Sequence, residues 1–392
     1  MAVSNSGDGL RIVGFPLLAA TLTRDPGLIA GLTVALRVPW LLFSIPAGAL
    51  IDRLDRQKLM ARASVLRAAA MGLLAFAILT DEISLAVLYF VAFAVGSAEV
   101  LFDTTAQALI PSTVDRIHLE RANGRIYATE LIGNELVGPV VGSFLFAMAL
   151  GLPFVSGTFA YMGSALILFS MSGTYRTKAT PDAAPRRLLD GLRMVLGDPL
   201  LRALTIFGAV WSFVLGAVTG VLVLYSLEVL GVGEIGFGML IAAEAVGGII
   251  GTVLAPRLSR RLGQARVILT AGALQGVGFS LVGLVTNPWL AGTLLAGARA
   301  AALACVVVLV TLRQTIVPDH MLGRTTAAMR VIAIGCMPLG AVVGGLSAGR
   351  FGLPVPFLLA APAMVITAAL SVRTINSRTI AEARSSGDHS SG

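Results

Sequence analysis

Hydrophobic residues occur in long, nearly uninterrupted segments along this chain, and short polar, glycine-rich or proline-rich clusters separate them. A helix needs about 20 apolar residues to cross a bilayer, and most of these segments reach that length. The pattern predicts twelve spans, at residues 9–22, 27–51, 60–80, 84–110, 122–150, 153–172, 203–227, 235–256, 265–286, 288–311, 322–349 and 353–373. Because only helices bond their own backbone in lipid at this length, we expect an all-α polytopic membrane protein.

The composition supports this prediction. Hydrophobic residues make up 56% of the 392 residues, and only 13% are charged. Soluble proteins have about 25% charged residues, and the mean hydropathy here is +0.87. Twelve spans leave room for loops and tails but for no separate soluble domain, so an ordinary cytosolic protein is excluded.

The basic side chains predict the orientation of the spans. They are concentrated in alternate loops and in the C-terminal tail, whereas the opposite loops hold only Arg24 and Arg350. Cytoplasmic loops carry the excess of Lys and Arg, so we expect both termini in the cytoplasm. The same bias explains the net charge of +8 without nucleic acid, which we do not expect as a partner.

Catalytic and metal-binding patterns are not found in the sequence. Cys305 and Cys336 fall in apolar segments, and His118, His320 and His389 fall in loops or the tail. These positions form no disulfide framework, metal-ligand spacing or nucleophile arrangement. We therefore expect no enzyme, metal or cofactor. The expected partners are a small-molecule substrate, protons and the bilayer, with the chain acting as a monomer.

An internal repeat divides the chain. The segment GPVVGS at Gly138–Ser143 matches GAVVGG at Gly340–Gly345, and Gly48 and Gly251 are separated by nearly the same interval. Repeated halves are typical of alternating-access transporters. The predicted organisation is a six-helix bundle at 1–172, a cytoplasmic linker with an amphipathic helix at 173–202, a second bundle at 203–373 and a disordered cytoplasmic tail at 374–392.

The loop after the second span carries a family resemblance. Its residues are Gly48, Asp52, Arg53, Arg56 and Lys58, in the order GALIDRLDRQK. This segment resembles the signature loop G-x-x-x-D-R-x-x-R-x-K/R of the major facilitator superfamily. The resemblance implies that fold for nearly the whole chain, with this loop acting as a gate at the cytoplasmic face.

A second motif lies in the fifth span. Gly138, Pro139 and Gly142 resemble the antiporter motif G-P-x-x-G-G of the same superfamily, which accompanies exporters. The alternative is that these residues only permit a kink and close packing. Other segments resemble the bacterial branch of siderophore and macrolide exporters. The fourth span lacks the arginine motif of drug antiporters in that superfamily.

Charged and polar residues within the spans are functional candidates, because a charge at membrane depth costs several kcal/mol. Glu99 and Asp103 share one helix face, as do Glu130 and Asn134. Asp103 and Glu130 are expected about 10 and 12 Å deep, so they could face each other and share a proton. The alternative is a structural role, such as pairing with Arg37. The full set of proton or substrate candidates is Asp8, Arg37, Glu99, Asp103, Glu130, Asn134, Glu244 and Arg299.

We interpret the chain as an exporter of the bacterial cytoplasmic membrane that moves a small organic molecule, such as a drug, siderophore or secondary metabolite, by proton antiport. Two alternatives remain open. One is a proton-coupled importer of a small solute. The other is a membrane sensor or assembly protein that transports nothing.

The first span is short for a membrane helix. Only about 14 residues follow Asp8 before the loop that holds Arg24, whereas a span needs about 20. The preceding residues carry no Lys or Arg and do not form a signal peptide. We therefore expect a truncated first helix and a native start roughly 10–20 codons upstream. The alternative is a genuinely short helix.

Overall fold

The structure is a computed structural model that describes residues 2–113, 118, 126, 129–171 and 184–388. The described residues are almost entirely helical and include no strand. We number the helices α1 (Ala2–Leu22), α2 (Pro26–Arg53), α3 (Arg56–Leu79), α4 (Leu85–Thr113), α5 (Leu131–Met148), α6 (Leu152–Ser170), α7 (Ala184–Gly197), α8 (Pro199–Thr219), α9 (Glu234–Leu262), α10 (Gln264–Val282), α11 (Pro288–Ile316), α12 (Asp319–Phe351), α13 (Val355–Ser371) and α14 (Ser377–Asp388).

The membrane-spanning helices follow from hydropathy. Ten helices of the described chain, α2 to α6 and α8 to α12, are long and apolar enough to cross a bilayer. The shorter apolar helix α13 and the more polar helix α1 bring the number to twelve. The predicted all-α, twelve-span class is therefore confirmed.

Helix α1 is longer than the span 9–22 predicted from the sequence. It begins at Ala2 and contains 21 residues. Its first turns include Ser4, Asn5 and Asp8, which are polar but buried among other helices. Hydropathy alone excludes such residues from a span, whereas in the structure Ser4 and Asp8 have buried partners in Arg67 and Tyr161. The expected upstream start stays a prediction.

The chain folds into two compact units. The first unit comprises Met1–Ala184 and Ser226–Ala242, and the second comprises Pro185–Tyr225 and Ala243–Gly392. These bounds differ from the predicted bundles, because Ser226–Ala242 groups with the first unit. Gly238 packs there directly against Ser143 and the carbonyl of Pro139. The sequence repeat does not predict that Ser226–Ala242 groups with the first unit.

Both units use the same close packing between their first and fifth membrane helices. In the first unit, Gly9 of α1 lies against the backbone of Gly133 and Gly138 in α5. In the second unit, Gly340 of α12 lies against the backbone of Phe213 in α8. Glycine at these positions allows helix backbones to approach closely.

Helix α7 lies in the segment where the sequence placed an amphipathic helix. Its buried side includes Val195, and Asp190 forms a salt bridge with Arg324 of α12 at 3.3 Å. Leu189 and Leu196 are exposed on it. The location on the membrane surface stays a prediction.

The tail differs from the disordered segment expected at 374–392. It contains α14, whose start is capped by Asn376 through hydrogen bonds from the backbone amides of Arg378 and Thr379, both 3.0 Å. Ile375 and Ile380 are buried. Two isolated apolar residues in a polar segment do not predict a helix from the sequence, because they give no continuous apolar face.

Candidate functional site

Five charged side chains from three helices meet inside the first unit. Glu99 and Asp103 lie four residues apart on α4 and therefore share a face, as do Asp8 and Arg11 on α1. Arg67 of α3 completes the group. We call these five residues the buried charge cluster.

Arg67 is at the centre of the cluster, with none of its side chain exposed. Its Nη1 lies 3.4 Å from Oδ2 of Asp8 and donates a hydrogen bond to the hydroxyl of Ser4 at 3.1 Å. Its Nη2 lies 3.9 Å from Oδ1 of Asp103. One guanidinium therefore joins α1, α3 and α4.

Two aromatic rings enclose the same guanidinium. Its Cζ atom lies 4.6 Å from the ring centroid of Phe102 and 5.4 Å from that of Tyr161. Ring faces attract cations, and the attraction increases where water is excluded. The hydroxyl of Tyr161 also donates a hydrogen bond of 2.8 Å to Oδ1 of Asp8. Tyr161 therefore contacts both the guanidinium of Arg67 and the acid that pairs with it.

Arg11 forms the shortest ion pair of the cluster. Its Nη2 lies 2.9 Å from Oε2 of Glu99 and 3.6 Å from Oδ1 of Asp8. The side chains of Arg11 and Glu99 are only 10% and 16% exposed. A buried pair at this distance is a strong, charge-assisted contact.

Asp103 is held less tightly than the other two acids. Among the described residues it forms one salt bridge, the 3.9 Å contact to Arg67, and its side chain is 41% exposed. On the arginine side, Nε and Nη2 of Arg67 are buried and donate no hydrogen bond to any described residue. The arginine therefore has hydrogen-bond donors that no described residue accepts.

The expected pairing of Asp103 with Glu130 is not what the structure shows. Asp103 contacts Arg67 instead, and Glu130, half-buried just before α5, forms no salt bridge or hydrogen bond with the described part of the chain. The Oδ1 atom of Asn134 is buried and accepts no hydrogen bond from a described residue. The depth of these residues in the membrane stays a prediction, and spacing along a helix does not determine which way a side chain points.

The counter-charges also differ from the expected ones. Arg37 of α2 is exposed and forms no salt bridge with a described residue. Arg11 and Arg67 occupy that role, although sequence reasoning did not select them. Their signal was present, because both are arginines within apolar spans and Arg11 lies one turn from Asp8.

The remaining candidates belong to the second unit. Glu244 lies on α9 and Arg299 on α11, and both are half-buried. The side chain of Arg299 lies beside Gly248 of α9. The described residues contain no group of three or more side chains arranged to hold a metal ion.

The motif in α5 has a visible structural effect. Gly138 donates its backbone hydrogen bond to the carbonyl of Gly133, five residues earlier, which is the π-helical pattern. Pro139 follows and has no N–H to continue a regular α-helix. Gly138 and Gly142 face α1, where Gly142 lies against the backbone of Leu10. The motif thus packs closely against α1, and its connection with export stays a prediction.

The loop between α2 and α3 is short and capped. Its Asp55 side chain accepts a hydrogen bond from the backbone amide of Lys58 at 3.2 Å, so Asp55 is the N-cap of α3. Arg56 is half-buried and the side chain of Lys58 is exposed. The side chains of Asp52 and Arg53, and the surroundings of Gly48, lie outside the described residues.

A cavity of about 310 Å³ opens at the C-terminal end of α1 in the first unit. Arg24 and Glu228 at its rim form a salt bridge of 3.5 Å, with 61% and 42% of their side chains exposed. It lies about two turns of α1 from the buried charge cluster, so the two features are separate.

Known proteins share the sequence and the fold. The multidrug efflux pump Tap of Mycolicibacterium fortuitum is 25% identical over 382 residues, covering 94% of this chain and 92% of that protein. A bacterial homologue of the human lysosomal transporter Spinster, in an inward-facing and occupied conformation, superimposes with a TM-score of 0.75 at 16% identity, covering 98% and 96% of the two chains. A bacterial homologue of the iron transporter ferroportin, in an inward-facing state, gives 0.71 at 18% identity, covering 94% and 96%.

The fold of these structures confirms the expected major facilitator architecture. The family model described as transmembrane secretion effector matches residues 1–391, nearly the whole sequence. This chain therefore belongs to the transmembrane secretion effector family of major facilitator transporters.

Proposed function

We propose that this protein exports small organic molecules across the bacterial cytoplasmic membrane and that proton entry drives the export. Family membership supports transport rather than catalysis. A relative named as a multidrug efflux pump, similar over 94% of this chain, favours the outward direction. The predicted orientation places both termini in the cytoplasm.

The observation that carries the proposal is the buried charge cluster. Five ionisable groups lie on helices that cross the membrane, where each charge is costly. Apolar side chains of similar volume would stabilise a helix bundle at least as well as buried ion pairs do. Charges retained at such positions therefore indicate a function that needs them.

The cluster offers a simple coupling step. A proton that binds a carboxylate removes one partner of an arginine, and the arginine then interacts more strongly with the remaining acid. Because Arg67 contacts both α1 and α4, such a change alters the attraction between these helices. A two-state transporter can use this difference in free energy to favour one conformation.

Export is tested in inverted membrane vesicles that contain the full chain. Ethidium and a library of cationic, neutral and anionic drugs serve as probes, with energisation by an imposed proton gradient. We expect uptake into inverted vesicles, proton release from them during uptake, and loss of both in Asp103→Asn. Glu82→Gln, a carboxyl change in the exposed loop before α4, is the matched control and should transport normally.

Two results would contradict the proposal. Accumulation only in right-side-out vesicles would identify an importer. Absence of substrate-dependent proton flux across the whole library, with the protein folded and inserted, would favour the non-transporting alternative.

A further inference from the structure

The charges of the buried cluster do not cancel. Three carboxylates, those of Asp8, Glu99 and Asp103, surround two guanidiniums, those of Arg11 and Arg67. If every group is ionised, one negative charge remains without a counter-charge. Such a charge is poorly stabilised in a low-dielectric interior and binds a cation or a proton.

The three acids are not equivalent. Asp8 receives a hydrogen bond from Tyr161 and contacts both arginines, at 3.4 and 3.6 Å. Glu99 has the 2.9 Å pair with Arg11. Donors that surround a carboxylate in this way stabilise its ionised form. Asp103 forms one salt bridge with the described residues, at 3.9 Å.

The three acids also differ in how much of each side chain is exposed. The side chain of Asp103 is 41% exposed, whereas those of Asp8 and Glu99 are 11% and 16% exposed. The neighbouring Nη2 of Arg67 is buried and donates no hydrogen bond to a described residue. Asp103 is therefore the most exposed acid of the cluster, and its arginine partner has donors that no described residue uses.

Two more distant charges have opposite signs. Arg37 lies on α2, the helix that packs on α4, and interacts electrostatically with Glu99. Glu130 interacts electrostatically with Asp103. Neither forms a salt bridge with a described residue. Because one of these charges is positive and the other negative, together they do not change the net charge of −1 that the five ionised groups of the cluster carry.

We infer that the cluster holds one exchangeable proton, that this proton binds Asp103, and that Asp8 and Glu99 stay ionised as fixed counter-charges. The inference rests on the proposed proton coupling and assigns its site. Proton binding forms one O–H bond on Asp103, and release returns that proton to water at the exposed side. The arginines keep their protons throughout.

Tyr161 is a positioning residue in this scheme. Its hydroxyl donates to Oδ1 of Asp8, which keeps Asp8 in place for Arg67. In Tyr161→Phe, Asp8 loses a donor and competes less well with Asp103 as an ionised acid. The proton on Asp103 should then exchange at a different pH, although Tyr161 does not touch Asp103 in the described contacts.

The test is infrared difference spectroscopy of the purified full chain in liposomes, recorded as the pH changes. A protonated carboxylic acid has a carbonyl stretch that its carboxylate lacks. We expect one buried carboxylic acid signal in the wild type, its loss in Asp103→Asn, and its persistence in Glu130→Gln and in the exposed control Glu82→Gln. In Asp8→Asn the carboxylic acid signal should persist but appear only at lower pH, because Asp103 then remains as the acid paired with Arg67. Size-exclusion chromatography confirms that each variant is folded.

Three spectroscopic results would overturn the inference: no carboxylic acid signal in the wild type, an unchanged signal in Asp103→Asn, or loss of the signal in folded Asp8→Asn or Glu99→Gln. In Tyr161→Phe, an unchanged pH dependence would reduce the tyrosine to a packing role. Because no substrate is needed, a correct spectrum without ethidium transport would contradict only the proposed function.

Discussion

None of the Arg67 side chain reaches solvent, although a guanidinium stays protonated in proteins. Two acids, a serine hydroxyl and two aromatic rings replace the water that the guanidinium has lost. Removing the arginine would leave Asp8 and Asp103 beside each other without this counter-charge. A residue in this position is expected to contribute to stability as well as to transport.

The prediction is that Arg67→Met destabilises the protein by about 3–5 kcal/mol, because breaking a buried pair leaves uncompensated charge. Thermal unfolding of the purified protein, followed by tryptophan fluorescence, measures the change. Arg24→Met is the matched control. Its salt bridge with Glu228 is exposed, and such pairs contribute about 1 kcal/mol or less. Equal effects of the two substitutions would argue against the electrostatic account.

Among the helices, the contact between α1 and α5 allows no room for side chains at two glycines. A Cβ at Gly9 would collide with the carbonyl of Gly133 and the backbone of Gly138. The π-helical segment Leu131–Val137 lies at this contact, next to Pro139. Backbone atoms on both sides cannot move without separating the helices, so the glycines determine how closely α1 and α5 approach each other.

The expected result for Gly9→Ala is reduced yield and a lower unfolding temperature. Gly297→Ala on α11 provides the control, because a Cβ there meets no atom within 4 Å. Alanine is favoured over glycine in a helix by up to about 1 kcal/mol, so this variant should be neutral or slightly more stable. Comparable loss from both would show that close packing is not the cause.

The start of α3 gives a second prediction at this scale. Asp55→Ala removes the cap on the amide of Lys58 and should destabilise the protein by about 1 kcal/mol. Asp55→Ser keeps an acceptor at the N-cap and should restore most of the loss. Chemical unfolding of both variants separates capping from a general effect of charge, since serine and alanine are both neutral.

For the whole molecule, the repeat in the sequence and the units in the structure divide the chain differently. The first unit includes Ser226–Ala242 from beyond the linker, and α9 therefore contributes to both units. The basic loops predict which side of the membrane each end of these helices faces. Orientation is a property of the whole chain, because one reversed helix would reverse those that follow it.

Orientation is checked with single cysteines in a chain whose Cys305 and Cys336 are replaced by alanine. We expect a membrane-impermeant thiol reagent added to intact cells to label Glu82→Cys and not Ser377→Cys. Both positions are exposed in the structure, so a difference reports the side of the membrane. Labelling of Ser377→Cys in intact cells would contradict a cytoplasmic C-terminus.

The sequence by itself determined the all-α class, the number of spans and the family, because in lipid these depend on runs of apolar residues and on short motifs along the chain. It also selected Asp8, Glu99 and Asp103, since charges in spans are conspicuous. Only the tertiary structure decided that Arg67 and Arg11 pair with these acids, that Asp103 is the loosely held one, and that α1 begins at Ala2. Pairing depends on helix rotation and on contacts between residues far apart in sequence, and neither is encoded in the hydropathy of any one segment.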